Sequence, residues 1–238
     1  VIIILAAIGA VFYNWMQAAN IVQINNLPSP ILSPQKTQVY EPLPTSATIT
    51  PSYQKPAQDN IIKFPVFNYH HIRPMPSVAS STITDRAFTV SPEGFEAHLK
   101  YFKENGYQTV SVYDLLDYFD TGKPLPAKAI AITFDDGRYG QYKWAYPLLK
   151  QYGMTATFFI VTGWVGKSDI LTWPQIKEMS ENGMTIGSHT LDHPALTKVD
   201  DNQLRDELVN SKKILEEKIG KVVDLLAYPG GDYNGRVM

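Results

Sequence analysis

Three regimes of hydrophobic patterning divide the chain. Residues 1–16, VIIILAAIGAVFYNWM, are almost continuously apolar, and the first charged residue of the chain is Lys36. As a helix this stretch spans about 24 Å, against about 30 Å for a bilayer's hydrocarbon core. The sequence does not open on Met, so the expectation is a membrane anchor or signal-anchor helix whose start is missing, with Tyr13 and Trp15 at the interface. A cleaved signal-peptide core and a buried helix are the competing readings. Residues 17–60 carry Pro28, Pro30, Pro34, Pro42, Pro44, Pro51 and Pro56 among Ser, Thr, Gln and Asn. Such a composition buries too little apolar surface to offset its ordering entropy, and it predicts a disordered linker. From residue 61 onward short apolar runs alternate with amphipathic segments, which predicts one domain over residues 61–238.

The apolar runs of that domain are IIKFPVFNY, QTVSV, AIAITF, TATFFIV, MTIGS and VVDLLAY. Being apolar at nearly every position, they read as strands covered on both faces. The segments between them carry helix signals. Ser91 and Pro92 form an N-cap and a first-turn proline, Phe95, Leu99 and Phe102 share one face, and Asn105-Gly106 stops the helix. Thr172 and Gln175 fit a capping box with Gly183 at the other end, and Asp200 caps a helix that runs to Gly220. Strand–helix alternation implies a parallel sheet and an α/β architecture, open or barrel-like.

Composition removes several classes of function. The chain has 238 residues, 44% of them hydrophobic, and a net charge of -2, with no basic run to suggest nucleic acid. It has no cysteine, which excludes disulfides, zinc–thiolate sites and cysteine nucleophiles. A metal site here has to use His, Asp, Glu and water.

Parallel α/β folds build their sites where strands end. Asp135, Asp136 and Gly137 follow AIAITF. His189 and His193 follow MTIGS. Tyr228 closes VVDLLAY ahead of Pro229, Gly230 and Gly231, and His70 and His71 follow VFNY. His189 and His193 stand at i and i+4, but Pro194 disfavours helical backbone at His193, so a single turn is expected there. The pair reads either as metal ligands or as two separate surface or capping histidines; its place straight after a strand favours ligands. Two imidazoles and a carboxylate make an open three-ligand site. A D-D-G in isolation is a turn or a cap. At a strand end, however, the two carboxylates can take different orientations, one on a metal and one on a water.

AIAITFDDG, YPLLKQYGMTATFFIVTGW and LTWPQIKEMSENGMTIGSHTLDHPAL, in this order, closely resemble the polysaccharide deacetylases, the carbohydrate esterases sharing the chitooligosaccharide-deacetylase homology domain. FPVFNYHHI resembles the branch acting on poly-N-acetylglucosamine. The resemblance covers about residues 61–238. It implies a distorted (β/α) barrel and a divalent metal, usually zinc. It also implies hydrolytic removal of N-acetyl groups from a glycan polymer, and with the anchor it implies a membrane-held, extracytoplasmic enzyme of the cell envelope. Carried over by position, Asp135 is the base, and Asp136, His189 and His193 hold the metal. Gly230 offers an oxyanion N–H beside Pro229 and Tyr228. His70 or His71, which follow the first strand, is a candidate for the substrate cleft, as are Tyr139 and Tyr142 at its rim; Trp164 and Trp173 could offer sugar-stacking surfaces, with packing the better reading for Trp173 in the first turn of its helix.

The third motif departs from the family: Ala227 stands where an arginine is usual. The general acid expected from a later leucine-x-histidine motif has no counterpart, and His98 lies inside the predicted helix after Ser91. The domain is therefore expected to be incomplete at its C-terminal end, and a deacetylase-like module that binds glycan without turning it over is the alternative reading.

Overall fold

The computed structural model describes residues 64–238, together with the backbone pair Ala7–Ile8. The anchor and linker expected over residues 1–16 and 17–60 otherwise lie outside the described residues. Among those described, no helix is long and apolar enough to cross a membrane.

Strand β1 is Ala7–Ile8 and β2 is Val66–Tyr69. The short strands β3 (His71–Ile72) and β4 (Thr89–Val90) pair with each other. Then come β5 (Gln108–Thr109), β6 (Ala129–Phe134), β7 (Thr157–Ile160) and β8 (Thr185–Ser188). The helices are α1 (Ile83–Ala87), α2 (Pro92–Glu104), α3 (Val112–Thr121), α4 (Tyr146–Tyr152), α5 (Trp173–Glu181) and α6 (Asp201–Ile219). The main sheet runs in the order β1-β2-β6-β7-β8, with β5 beside the start of β6, and every pairing in it is parallel. Backbone bonds from Ser188 N–H to Leu225 and from Ala227 N–H to Ser188 extend it to residues 225–227. No pairing among the described residues joins its two ends.

Two of the expected runs are shorter as strands. QTVSV is a strand only at Gln108–Thr109, because Ser111 caps α3 through a capping box with Asp114. VVDLLAY contributes a single bridge at Leu226. The helix signals hold. Ser91 Oγ accepts from Gly94 N–H at 3.0 Å, Gln175 Oε1 accepts from Thr172 N–H at 2.8 Å, and Asp200 Oδ1 accepts from Gln203 N–H at 2.9 Å.

Register divides the sheet into two faces. Tyr69, Phe134 and Phe158 lie in adjacent positions, with Ile186 next along, on the face that packs against the helices. The Phe134 and Phe158 rings stack 4.6 Å apart, and Phe95 of α2 meets Phe134 edge-on. Leu99, Leu149, Ile176, Met179 and Leu215 complete this core from four helices. One position earlier the same rows read Asn68, Thr133, Thr157 and Thr185, a row of small polar side chains on the opposite face. That second face carries the polar row but is covered as well: Phe159 packs there with Val112 of α3 and Leu225, and β6 and β7 are buried on both faces, as the sequence suggested. Asp135 follows Thr133 at a spacing of two, on the side of this polar row.

Candidate metal and base site

Where β6 ends, the backbone turns sharply. Asp136 has φ 73° and Gly137 φ 69°, a left-handed pair that side chains rarely tolerate at its first position. Gly140 then passes so close to β3 that a Cβ there would overlap the Ile72 carbonyl oxygen. The turn separates the two carboxylates, as their adjacency in sequence required. Asp136 Oδ1 faces His189 Nε2 at 3.8 Å and His193 Nε2 at 3.7 Å. Asp136 Oδ2 accepts from Arg138 Nε at 3.2 Å and Nη2 at 3.1 Å. Asp135 points elsewhere: its Oδ2 accepts from Asn68 Nδ2 at 2.8 Å and lies 3.8 Å from His70 Nε2.

No helical turn follows β8. Thr190 has φ 69° and His193 φ 64°, and these two left-handed residues, not an i,i+4 helical face, bring the imidazoles together. Of the four non-glycine residues with positive φ among those described, three are Asp136, Thr190 and His193. Such conformations cost on the order of 1–3 kcal/mol each and persist only where neighbours over-determine them. The neighbours here belong to α6. Glu207, 3% exposed, accepts the N–H groups of Leu191 and Asp192, both at 2.9 Å. Ser188 Oγ, bonded to Ser211 Oγ at 2.8 Å, accepts from Thr190 N–H, and Thr190 Oγ1 accepts from His193 N–H at 3.0 Å.

Hydrogen bonding sets the imidazole chemistry. His189 Nδ1 lies 2.9 Å from the Ala227 carbonyl oxygen. A carbonyl only accepts, so Nδ1 carries the proton and Nε2 presents its lone pair, the state a ligand needs. Burial lowers the pKa of His189 against the opposing effects of the Ala227 bond and Asp136, and burial with the neighbouring His189 lowers that of His193. Both rings are then neutral near pH 7. Burial pushes Asp136 up, but Arg138, His189 and His70 outweigh it and hold the carboxyl below its usual range. Burial dominates at Asp135 and raises it, with His70 and the Asn68 bond acting the other way.

Asp136, His189 and His193 place their ligand atoms within 4.8 Å of one another. The two Nε2 atoms are 3.1 Å apart, close to the roughly 3.3 Å set by two nitrogens on a tetrahedral zinc-like centre. The donor set of two neutral imidazoles and one carboxylate fits a divalent transition metal with a position left open.

The remaining candidates divide. His70 faces Asp135, and its ring meets that of Phe88 edge to face, 4.7 Å between centroids. His71 turns into β3, where burial together with Arg138 and Arg73 lowers its pKa to about 4. Trp164 belongs to the site: it lies 5.3 Å from the His193 ring with the Arg138 guanidinium 5.4 Å over its own. Trp173 packs against the main core, and Tyr142 donates to Glu178 on α5. Tyr139 is 40% exposed. Tyr228 stacks on Tyr233, Pro229 is buried, and Gly230 sits exposed at φ 63° on the turn after Ala227. No hydrogen bond among the described residues joins these three to Asp135 or Asp136. His98 lies in α2, as expected, bonded to Tyr69 Oη at 2.9 Å. Sequence reading passed over Asn68, Arg138 and Glu207. The one signal each gave was a polar residue in an apolar run, a cation straight after Asp-Asp-Gly, and a glutamate on the inward stripe of α6.

A parallel α/β domain with an Asp–His–His cluster and a second carboxylate at its strand ends defines a class that comparison makes specific. A model of the polysaccharide deacetylase family matches residues 122–238. Bacillus subtilis YxkH is 35% identical over 181 residues, covering 76% of this chain and 60% of that protein. The poly-beta-1,6-N-acetyl-D-glucosamine N-deacetylase of Staphylococcus aureus is 30% identical over 187 residues, 70% of this chain and 64% of that one. The structure of the Streptococcus pyogenes deacetylase PplD in complex with acetate superposes with a TM-score of 0.68 at 30% identity, over 74% of this chain and 77% of that one. The chain belongs to the polysaccharide deacetylase family. It spans somewhat over three fifths of the length of the curated relatives it matches.

Proposed function

We propose that this protein is a metal-dependent hydrolase that removes N-acetyl groups from an N-acetylglucosamine-containing polysaccharide of the cell envelope. The observation that carries the proposal is the Asp136–His189–His193 cluster with Asp135 beside it, held by Oδ2 and with no hydrogen bond among the described residues to Oδ1. The S. aureus relative, named for its action on a β-1,6-linked N-acetylglucosamine polymer, supports the substrate class. The parallel order of the sheet suits the wall of a (β/α) barrel.

A zinc or similar divalent ion held by Asp136, His189 and His193 would supply a Lewis acid for the acetyl carbonyl and make water acidic enough to lose a proton near neutrality. Asp135 takes that proton as water attacks the acetyl carbon. Carbon–nitrogen cleavage then gives acetate and a free amine, and the proton on Asp135 is available to the departing nitrogen, so base and acid can be one residue. Trp164, tilted over His193, offers an apolar face to a sugar ring. His70 lines the side of the base, and the turn Tyr228–Pro229–Gly230 supplies the oxyanion N–H from Gly230. The apolar stretch 1–16 anchors the enzyme to a membrane, and the proline-rich stretch 17–60 tethers the domain on the extracytoplasmic side.

The test is acetate release from a panel of poly-β-1,6-N-acetylglucosamine, chitin oligomers and peptidoglycan, with metal-loaded and chelated protein and with Asp135→Asn. Release that needs both metal and Asp135 supports the proposal. Glycan binding that survives Asp135→Asn, with no release by the unsubstituted protein, points instead to a binding module.

A further inference from the structure

We infer that Asn68 is the positioning residue of the base, and that a relay from Thr133 through Asn68 fixes which oxygen of Asp135 does the chemistry. The inference deepens the deacetylase reading and rests on it.

The geometry is that of one cross-strand pair. Asn68 of β2 and Thr133 of β6 are partners in register, on the side of the polar row that also carries Asp135 two residues on. Thr133 Oγ1 donates to Asn68 Oδ1 at 2.9 Å, and Asn68 Nδ2 donates to Asp135 Oδ2 at 2.8 Å. The first bond removes the ambiguity of an amide. A carboxylate needs a donor, so the NH2 end has to face Asp135, and the buried Thr133 hydroxyl, given an oxygen to donate to, holds the amide that way round. Asp135 is also fixed through its backbone. Its N–H donates to the Tyr69 carbonyl at 3.0 Å, and its carbonyl accepts from Gln141 Nε2 at 2.6 Å. Gln141, fully buried, gives its other N–H to the His70 carbonyl at 2.9 Å. With both backbone groups tied to the end of β2 and Oδ2 engaged by Asn68, the oxygen left to meet water is Oδ1.

Asn68 also supplies from β2 what no side chain supplies from residue 227. Ala227 takes part only through its backbone, its carbonyl on His189 and its N–H on Ser188. The donor on the base is therefore a neutral amide on the first strand of the domain, built into the sheet and not into a loop.

The test uses the full, metal-loaded chain with Asn68→Leu, Thr133→Val and Thr133→Ser. Asn68→Leu keeps the shape and removes the donor. It is expected to lower kcat for acetate release by about 10²-fold, the cost of a base displaced by about 1 Å. KM is expected to stay within about twofold, since no ground-state contact is lost, and bound metal is unchanged. Thr133→Val, isosteric but without the hydroxyl, lowers kcat, and Thr133→Ser restores it. A purely structural role predicts the opposite order, because Val keeps the volume and Ser does not. Unchanged kcat in Asn68→Leu, or loss in Thr133→Ser with Val neutral, overturns the inference. Crystal structures of the unsubstituted chain and Asn68→Leu give a readout that needs no turnover: Asp135 in the same rotamer in both overturns the inference even where the glycan panel is silent. Failure of the unsubstituted chain to release acetate overturns the deacetylase reading alone.

Discussion

Two loops make this site, and they are held in opposite ways. The loop after β6 carries the proposed base, Asp135, and is fastened to its neighbour in the sheet. Asn68 bonds the carboxylate, Tyr69 takes the Asp135 N–H, and Gln141 binds the carbonyls of Asp135 and His70, just past the ends of β6 and β2. The loop after β8 carries the two proposed metal ligands and is fastened to a helix, through Glu207 and Ser211 of α6. The first loop is short and its strain falls on Asp136, with Gly137 taking the next left-handed position freely. The second is longer, with strain at Thr190 and His193, and it needs a buried carboxylate to hold it. A base has to be aimed, and rigid sheet hydrogen bonds aim it. A ligand pair has to converge, and a carboxylate gathering consecutive N–H groups from one side makes it converge.

The comparison predicts that the two loops fail differently. The largest effect is expected from the ligand loop's own imidazole. His189→Ala should lose the bound metal, measured by elemental analysis, and acetate release with it; chelation of the unsubstituted protein should do the same, reversed by adding metal. Next comes the base loop: Asp135→Asn is expected to reduce acetate release by about 10²–10⁴-fold while metal content stays at the unsubstituted level. If the two substitutions have the same metal content, the division of labour between the loops is wrong.

Glu207→Ala comes third. It leaves the N–H groups of Leu191 and Asp192 without their acceptor, and a loss of about 2–4 kcal/mol in urea unfolding is expected, along with weaker metal affinity. Glu207→Gln keeps an acceptor oxygen and should recover most of the loss. Equal destabilisation by the two would mean that Glu207 works by packing and not as a clamp. The smallest effect is expected at Lys213 on the same helix, whose ion pair with Glu217 at 3.9 Å is exposed. Lys213→Ala should change stability by less than about 0.5 kcal/mol and touch neither loop. A larger change there would show that α6 acts on the site as a whole body and not through Glu207.

Much of the scaffold could be read locally. The caps at Ser91, Thr172 and Asp200 and the full length of AIAITF appear in the structure as the sequence implied, because a cap and a buried strand depend on residues a few positions apart. The runs that disappointed, QTVSV and VVDLLAY, were apolar enough for strands, yet a capping box at Ser111 and a single bridge at Leu226 took precedence. Apolar content alone does not distinguish a ladder from a strand-to-helix junction. The polar row Asn68, Thr133 and Thr157 was equally hidden, since each residue sits singly in an otherwise apolar run and only register aligns them.

By itself the sequence determined which chemical groups the site can use. Without cysteine, a metal had to fall to His and Asp, and the strand-end positions of Asp135, Asp136, His189 and His193 were visible as residues that end apolar runs. Tertiary structure decided how those groups divide the work. Only the left-handed turn at Asp136 sends adjacent carboxylates to different partners, and only the Ala227 carbonyl fixes the His189 tautomer. Asn68 and Glu207 were assigned their roles by strands and helices 67 and 15 or 16 residues away in the chain. Residue type fixes what a side chain can donate or accept, whereas aim depends on contacts between distant segments, and those exist only once the sheet has formed.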